Sequence, residues 1–299
     1  MLWGPIVCWI REKFKEEIHM INTVERLGFG CYLPKKSREE ATEIIVQAIE
    51  CGYRYFDTAS FYETERSLGE AIAKTGINRE EISVASKLWI DEKGYDGAKA
   101  ALYRTLDRLG LDYIDTYLIH WPKSSVDDNE WREINAQTFV AMLELKKEGV
   151  VKNIGTSNFL PHHISVLLEN NHIPVVNQLE LHPGYVQSAA VSFCENMNIS
   201  VQAWSPLGRG AVLEDKFLAT LSKKYGKTVA QLCLIYLLQK NIMPIVKASA
   251  KERLLENRDI FDVSMETEDI MMIDSMPQTG WSGEHPDFII PQKKSNFNQ

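Results

Sequence analysis

The stretch 39-EEATEIIVQAIECGYRYFDTA-59 joins a helical pattern to a strand pattern. Apolar residues in its first half recur at the i, i+3, i+4, i+7 spacing of one helix face: Ala41, Ile44, Ile45, Ala48 and Ile49. Ser37 opens a Ser-x-x-Glu capping box before this helix, and Gly52 stands where the chain leaves it. The aromatic run YRYF that follows is typical of a strand. The stretch therefore predicts one helix followed by one strand.

The same alternation continues along the chain, because eight β-rich segments are separated by segments with helical spacing. The β-rich segments are LGFGCYL near residue 27, YRYFDTA near 53, ISVASKL near 82, YIDTYLIHW near 113, VKNIGTSN near 151, VVNQLEL near 175, ISVQAWS near 199 and IMPIVKA near 242. Strands that alternate with helices run parallel, with both faces of the sheet covered. Eight units predict an α/β fold, a closed (β/α)8 TIM barrel of eight parallel strands with outer helices, since doubly wound sheets normally stop at about five to seven strands.

Neither a linker nor a shift in composition interrupts this series. We therefore expect a single barrel domain over residues 21–299, including a C-terminal tail, preceded by an N-terminal extension of unknown role over residues 1–20. The apolar start MLWGPIVCWI has no basic residues before it and no small-residue cleavage site after it, so we do not interpret it as a signal peptide. No apolar stretch approaches the ~20 residues of a membrane-spanning helix.

Charge and cysteine usage indicate a soluble protein that acts on small molecules. The net charge of -8 and the pI near 5.5 argue against a nucleic-acid partner, which usually meets a positive surface. The five cysteines show no C-x-x-C pair and no metal-type spacing, as expected for reduced thiols in the cytoplasm. His162 and His163 lack a third ligand at helical or hairpin spacing, and no G-x-S-x-G motif is present, so we expect neither a metal site nor hydrolysis.

Polar residues close consecutive predicted strands, where the C-terminal face of a barrel carries its active site. Asp57, Lys87 and His120 follow one another at such ends, and Tyr62 stands just beyond Asp57. A cation within hydrogen-bonding reach lowers the pKa of a phenol, so Lys87 would acidify Tyr62 while Asp57 keeps the lysine charged. His120 would donate a hydrogen bond to a carbonyl oxygen or relay a proton. Together they predict a general-acid site aimed at an oxygen atom.

Each of these residues also has a plainer structural interpretation when it is considered alone. Asp57 could cap a strand end, Lys87 could be the solvated end of a strand, and His120 could cap the turn before Pro122. Tyr62 could pack over the core. Their occurrence at matching strand ends favours the functional interpretation.

The segment after the eighth strand, 247-KASAKERLLEN-257, is a candidate phosphate site. Lys247 lies at the strand end, Ser249 could cap a helix, and Arg253 would project from the first turns of that helix. A helix N-terminus beside basic side chains binds anions, and barrels commonly place phosphates after strands seven and eight. The alternative is an ordinary charged first turn.

The glycine-rich loop 204-WSPLGRG-210 follows the seventh strand. Its backbone amides could approach a pyrophosphate, and Trp204 offers a flat face on which an aromatic ring could stack. Trp204 could equally fill the core.

These motifs resemble the aldo-keto reductases, barrel-shaped NADPH-dependent carbonyl reductases, over nearly the whole chain from Leu27 to Pro286. The motifs that carry the resemblance are GYRYFDTASFYETE, VASKLW, LIHWP, IGTSNF, NQLELHP, WSPLGRG, KASAKERLLEN and GWSGEHPD. The last of these and WSPLGRG look most like the bacterial branch that includes 2,5-diketo-gluconate reductases. The resemblance implies that Asp57, Tyr62, Lys87 and His120 form the catalytic tetrad.

The resemblance also implies which residues bind the cofactor and the substrate. The nicotinamide would lie against Ser157, Asn158, Gln178 and Trp204, the pyrophosphate against Ser205 and Leu207, the 2′-phosphate against Lys247 and Arg253, and the adenine against Glu256 and Asn257. The substrate pocket would be walled by Tyr32, Phe61, Trp89 and Trp121. The family usually has proline and serine where Val246 and Ala248 flank Lys247, so the preference for NADPH over NADH would be weakened.

The expected activity is reduction of an aldehyde or ketone to an alcohol by hydride transfer, with Tyr62 as general acid. Two alternatives stay open: an NADPH-sensing regulatory subunit with little catalysis, and a barrel aldolase that forms a Schiff base on Lys87. The resemblance suggests a monomer. Nothing in the sequence names the carbonyl substrate.

Overall fold

The computed structural model describes residues 26–288, which form a closed barrel of eight parallel strands. Each strand pairs with its neighbour in sequence, and β1 pairs with β8, so that Gly28 lies opposite Ile245. The strands are β1 (Gly28–Gly30), β2 (Tyr55–Asp57), β3 (Ser83–Leu88), β4 (Ile114–Ile119), β5 (Val151–Ser157), β6 (Val176–Glu180), β7 (Ser200–Trp204) and β8 (Ile242–Val246). The predicted (β/α)8 barrel is confirmed, with one strand in each of the eight predicted segments. The predicted extension over residues 1–20 lies outside the described residues.

Helices connect successive strands and surround the barrel. Within residues 26–288 the α-helices are α1 (Arg38–Glu50), α2 (Glu65–Thr75), α3 (Tyr95–Leu109), α4 (Trp131–Glu148), α5 (Pro161–Glu169), α6 (Ser188–Asn196), α7 (Lys216–Tyr225), α8 (Val229–Gln239), α9 (Lys251–Arg258) and α10 (Thr267–Asp274). Short 3-10 turns occupy Ser60–Tyr62, Arg79–Glu81, Ile90–Glu92 and Gly208–Glu214. None of the helices in this part of the chain is long and apolar enough to cross a membrane.

The start of α1 shows how local sequence sets an element. Ser37 accepts a hydrogen bond from the Glu40 backbone N–H, and the Glu40 carboxylate accepts one from the Ser37 N–H, which is the predicted capping box. The five apolar residues predicted to share a helix face are all buried. The amphipathic pattern therefore decides both where α1 lies and which face contacts the barrel.

The apolar core has two layers. The larger one lies between the strands and the helices. The smaller one lies inside the barrel and consists of Tyr55, Ala85 and Ile245, with Met243 packed against it. A Cβ atom at Gly28 would lie 2.5 Å from Ile245 Cδ1, so any larger residue there would require the Ile245 side chain to shift. The bottom of the barrel is thus filled, and the polar side chains occupy its other end.

Candidate active site

The structure brings Asp57, Lys87, His120 and Tyr62 together at the C-terminal face of the barrel. Asp57 is the last residue of β2, Lys87 is the last residue but one of β3, and His120 directly follows β4. Tyr62 ends the 3-10 turn after β2, and Glu63 behind it adopts a left-handed conformation with φ of 60°. The parallel strands end at one face, which is why side chains thirty residues apart in sequence meet there.

Lys87 and Asp57 form a buried ion pair at the centre of the site. Lys87 Nζ lies 2.5 Å from Asp57 Oδ1, and it also donates to the Thr58 carbonyl at 3.1 Å. The lysine side chain has 0% exposure. Burial lowers the pKa of Lys87, while the charge and hydrogen bond of Asp57 oppose that shift. The Asp57 carboxylate therefore favours the charged ammonium form of Lys87.

The Tyr62 hydroxyl lies 3.4 Å from Lys87 Nζ, within reach of a long hydrogen bond. Burial raises the pKa of Tyr62 well above its usual value, and the negative charges of Asp57 and Glu284 act in the same direction. The expectation that Lys87 lowers the pKa of Tyr62 is therefore wrong for this arrangement. The physical reason is that burial penalises the charged phenolate most strongly, and the carboxylate of Asp57 adds to that penalty. Tyr62 stays protonated at neutral pH.

His120 packs edge-on against Tyr62, with ring centroids 5.5 Å apart. Burial, and then the charge of Lys87, lower the pKa of His120 well below its usual value, so the ring is neutral. Its Nδ1 atom is buried without a hydrogen-bond partner among residues 26–288. No protein contact there fixes the tautomer, and a substrate or water can decide which ring nitrogen carries the proton.

Aromatic rings surround these polar groups. Phe61 stacks on Trp89 with centroids 4.0 Å apart, and Trp89 packs edge-on against His120 at 4.9 Å. Tyr32 lies 4.9 Å from the Tyr62 ring and is 46% exposed, whereas Trp121 beside His120 is buried. The walls of this pocket are therefore aromatic, and its polar groups lie on one side, at Tyr62 and His120.

Glu92 ties the two loops that carry Tyr62 and Trp89 to each other. Its buried carboxylate accepts a hydrogen bond from the Ser60 hydroxyl at 2.6 Å and one from the Trp89 backbone N–H at 2.9 Å. Arg104 on α3 pairs with the same carboxylate at 3.2 Å. Ser60 begins the 3-10 turn that ends at Tyr62, so Glu92 holds that turn in place.

Asn158, Ser157 and Gln178 lie side by side where β5 and β6 end. Asn158 has a φ of 63°, and its amide nitrogen donates to the His120 carbonyl at 3.0 Å and to the Ser157 hydroxyl at 3.3 Å. Gln178 donates to Asp57 Oδ2 at 2.8 Å. Asn158 and Gln178 are therefore hydrogen-bonded to His120 and Asp57, respectively. The resemblance places the nicotinamide against the same residues.

Trp204 ends β7, and its indole N–H donates to Asn158 Oδ1 at 2.8 Å, which fixes the plane of a half-exposed ring. The Arg209 guanidinium lies 5.7 Å from the centroid of that ring and pairs with Glu284 at 3.0 Å. Ser205 and Arg209 both have positive φ, of 49° and 53°. The loop after β7 thus turns tightly beside the exposed face of Trp204, whose ring orientation is fixed by Asn158.

The remaining predicted cofactor residues follow β8. Lys247 and Arg253 are exposed, Glu256 is half-buried and Asn257 is buried. The Lys247 ammonium lies 5.8 Å from the Tyr32 ring centroid. Burial and then the neighbouring charge of Arg209 lower the pKa of Lys247. The prediction that Ser249 caps α9 is wrong: the N-cap is Ala250, which makes no side-chain hydrogen bond to the helix.

The sequence profile of the Aldo/keto reductase family matches residues 26–277. The chain belongs to this family. The reductase is 38% identical over 278 residues to the glyoxal reductase of Bacillus subtilis, covering 92% of this chain and 98% of that one. It is 36% identical over 269 residues to the methylglyoxal reductase DkgA of Escherichia coli O157:H7, covering 89% and 94%.

Solved structures agree with the sequence comparison. A Bombyx mori aldo-keto reductase, crystallised in complex with NADP, is 35% identical and superimposes with a TM-score of 0.77, covering 85% of this chain and 89% of that one. This confirms that the protein is an oxidoreductase of the aldo-keto reductase type built on a (β/α)8 barrel.

The C-terminal tail of the reductase, residues 279–287, runs over the loops that follow β5, β6 and β7. Ser282 donates its hydroxyl and its backbone N–H to the Glu180 carboxylate at 2.6 and 2.9 Å. The Thr279 N–H donates to the Gly184 carbonyl at 3.0 Å. Glu284, further along the tail, forms the ion pair with Arg209 described above. The tail therefore forms part of the rim of the site.

Asp287 at the end of this tail contacts both His162 and His163. Its Oδ1 atom lies 3.1 Å from His162 Nε2 and 3.0 Å from His163 Nε2, and the three possible ligand atoms lie within 4.8 Å of one another. Sequence spacing missed this third group. However, the Leu160 N–H points at His163 Nδ1 at 3.1 Å, so Nδ1 must accept and Nε2 must carry the proton. A protonated Nε2 donates to Asp287 and has no lone pair for a metal.

Sequence reasoning therefore missed Glu92, Arg209, Glu284 and Asp287. For Glu92 and the tail residues we find no local signal, because their partners come from distant loops. Arg209 lay in a motif that was recognised only for its glycines and its tryptophan.

Proposed function

We propose that the chain reduces small aldehydes and ketones to alcohols with NADPH, using Tyr62 as the proton donor. The observation that carries this proposal is the Tyr62 hydroxyl, protonated and 3.4 Å from the Lys87 ammonium, within an aromatic pocket beside a neutral His120. A protonated phenol in an apolar pocket can donate its proton to the carbonyl oxygen of a substrate while the carbonyl carbon is reduced.

The residues present suit a phosphate-bearing dinucleotide. Lys247 and Arg209 project from the loops after β8 and β7, and burial, followed by repulsion from Arg209, lowers the pKa of Lys247. An anion between two such cations relieves that repulsion. Trp204 presents a ring of fixed orientation on which a nicotinamide can stack. When bound, the reduced nicotinamide supplies the hydride.

In this proposal each residue has one role. Lys87 and Asp57 orient Tyr62 and balance the charge around it, and His120 donates a hydrogen bond to the carbonyl oxygen. Ser157, Asn158 and Gln178 hold the carboxamide, and Ser205 and Leu207 line the pyrophosphate. Lys247 and Arg253 hold the 2′-phosphate, and Glu256 and Asn257 hold the adenine. Tyr32, Phe61, Trp89 and Trp121 exclude water from the substrate.

The substrate class that the pocket suits is a small neutral carbonyl compound. Its walls are aromatic, and the lysine inside it is already paired with Asp57. Two similar enzymes are named for glyoxal and methylglyoxal, which are small dicarbonyls. We propose that this chain accepts compounds of that size.

A screen of small aldehydes, ketones and dicarbonyls, followed by NADPH absorbance and repeated with NADH, tests the proposal. Tyr62→Phe should abolish reduction while leaving NADPH binding unchanged, because only the donated proton is removed. Tight NADPH binding without turnover of any carbonyl would instead favour a cofactor-sensing role. Borohydride trapping of a substrate on Lys87 would favour aldolase chemistry, which the Asp57 partner disfavours by keeping the amine protonated.

We further propose a monomeric cytoplasmic enzyme without a nucleic-acid partner. The acidic composition, with a net charge of -8, and the scattered cysteines support this. Light scattering after size exclusion tests the oligomeric state, and fractionation of cells tests the location.

A further inference from the structure

A chain of buried hydrogen bonds crosses the barrel interior beneath the tetrad. Asp57 Oδ2 accepts from Gln178 Nε2 at 2.8 Å, and the same nitrogen donates to Gln202 Oε1 at 3.1 Å. Gln202 Nε2 then donates to the Tyr55 hydroxyl at 2.9 Å. All four side chains are buried, and Gln202 is 4% exposed. We call Asp57, Gln178, Gln202 and Tyr55 the interior relay.

Strand geometry explains why these four residues meet. Gln178 and Gln202 are register partners on β6 and β7, so their side chains leave the sheet side by side. Tyr55 and Asp57 are two residues apart on β2 and therefore point to the same face. In the closed eight-stranded order, β2 lies across the barrel from β6. The relay therefore spans the interior and connects opposite walls.

The direction of every bond in the interior relay follows from the charge on Asp57. A carboxylate only accepts hydrogen bonds, so Gln178 must present its nitrogen to it. The second N–H of that nitrogen requires an acceptor, which forces Gln202 to present its oxygen. Gln202 is then left to donate to Tyr55. With both N–H groups committed, Gln178 can offer a bound ligand only its Oε1 atom, as an acceptor.

We propose that Gln202 is a positioning residue for carbonyl reduction, because it fixes the Gln178 amide that both holds Asp57 and faces the cofactor. This inference rests on the proposed NADPH-dependent reduction. Without Gln202, one buried N–H of Gln178 loses its acceptor and the amide is free to turn. Asp57 would then lose part of its support, and the ligand-facing oxygen would no longer have one orientation.

Three variants test this role. Gln202→Leu removes the acceptor and the donor together. Gln202→Glu keeps them, because a carboxylic acid buried near Asp57 stays protonated, accepts from Gln178 and donates to Tyr55. Asn177→Leu is the matched control: Asn177 is a buried amide next to Gln178 on β6, but it bonds Thr156, the Phe159 carbonyl and Cys194 outside the relay.

The measurements are the NADPH dissociation constant by fluorescence, kcat under saturating NADPH, and the midpoint of thermal unfolding. We expect Gln202→Leu to lower kcat and weaken NADPH binding, each by about tenfold, the scale of one unpaired buried N–H. Gln202→Glu should recover most of both. Asn177→Leu should lower the unfolding midpoint to a similar extent and leave kcat and NADPH binding near those of the wild type.

Two results would overturn the assignment: equal catalytic losses in Gln202→Leu and Asn177→Leu, or no recovery in Gln202→Glu. If Gln202→Leu fails to fold, Tyr55→Phe replaces it, because it removes only the distal acceptor and should cause a smaller loss in the same direction. If the wild-type protein binds NADPH but turns over no carbonyl, the proposed reduction is refuted. The NADPH dissociation constants of the variants then still test whether Gln202 positions Gln178. Failure of the wild type to bind NADPH refutes both.

Discussion

Lys87 Nζ lies 2.5 Å from Asp57 Oδ1, with the lysine side chain wholly excluded from solvent. Breaking such a pair leaves a buried charge without a partner, which costs about 3 to 5 kcal/mol, whereas removing both charges is much less costly. We therefore expect Lys87→Met to destabilise the protein by about that amount and the double variant Asp57→Asn/Lys87→Met to recover much of the loss. Urea unfolding of the wild type, both single variants and the double variant measures this. Additive losses would contradict a coupled pair.

The raised pKa of Tyr62 predicts the pH dependence of reduction. A proton donor works below its pKa and is lost as the pH rises through that value. Because burial holds the pKa of Tyr62 above its usual value, kcat for reduction should stay constant between about pH 7 and about pH 9. Initial rates at saturating NADPH and carbonyl test this, with Tyr62→Phe as the background at each pH. A decline within that range would mean that Lys87 acidifies the phenol after all.

Glu92 should control the placement of Tyr62 without touching a substrate. Glu92→Gln removes the negative charge that pairs with Arg104 at Oε1 and that strengthens the hydrogen bonds from the Ser60 hydroxyl and the Trp89 N–H, which both reach Oε2. We expect kcat to fall about tenfold, the scale of one charge-assisted hydrogen bond, with NADPH binding unchanged. Rates and binding constants measured on the same preparation separate these effects.

Asp115→Asn is the control for Glu92→Gln. Asp115 is also buried and also accepts from a backbone N–H, that of Val84, and from an arginine, Arg79, but it lies near the start of β4, away from the site. Its loss should reduce stability and spare kcat. Similar kcat losses in the two variants would mean that Glu92 acts only through general stability.

His163 should make folding sensitive to mild acid. Burial, and then the neighbouring His162, lower the pKa of His163 to about 3, although Asp287 opposes the shift and Lys123 adds to it. The folded state therefore keeps His163 neutral while the unfolded chain takes up a proton below about pH 6.5. Stability from this residue is complete above that value and is lost as the pH falls toward 3, with a loss of about 2 kcal/mol at about pH 5.

Comparing His163→Asn with the wild type between about pH 7 and about pH 5 measures this effect. Asparagine can still accept from the Leu160 N–H, so the variant should unfold with a weaker pH dependence. His162→Asn is the control, because its ring bonds the same carboxylate but is exposed. An unchanged pH dependence in His163→Asn would assign the acid sensitivity to other groups.

The strand-end rule located Asp57, Lys87 and His120 from sequence alone, because parallel strands place their last residues at one face. It also placed Trp204, Ser157 and Lys247 correctly in the fold. What the rule could not give was the sign of the Tyr62 pKa. That sign depends on how deeply the phenol is buried and on the negative charge of Asp57 beside it, and spacing gives neither the depth nor the distance.

Contacts between distant segments were also out of reach. His163 and Asp287 are 124 residues apart, and no periodic pattern connects them. Gln202, by contrast, could have been found, since alternation along β7 places it on the same inward face as its register partner Gln178. The interior of a barrel is thus more predictable than its rim, because strand parity governs the first and loop packing governs the second.

The tail that crosses the rim has a consequence for biosynthesis. Ser282 docks on Glu180, which precedes it by 102 residues, and Asp287 docks on a helix made earlier still. A chain emerging from the ribosome can thus assemble every strand before the tail has been synthesised. A premature stop codon just upstream of residue 279 should yield a product that has all eight strands but lacks the part of the active-site rim formed by the tail.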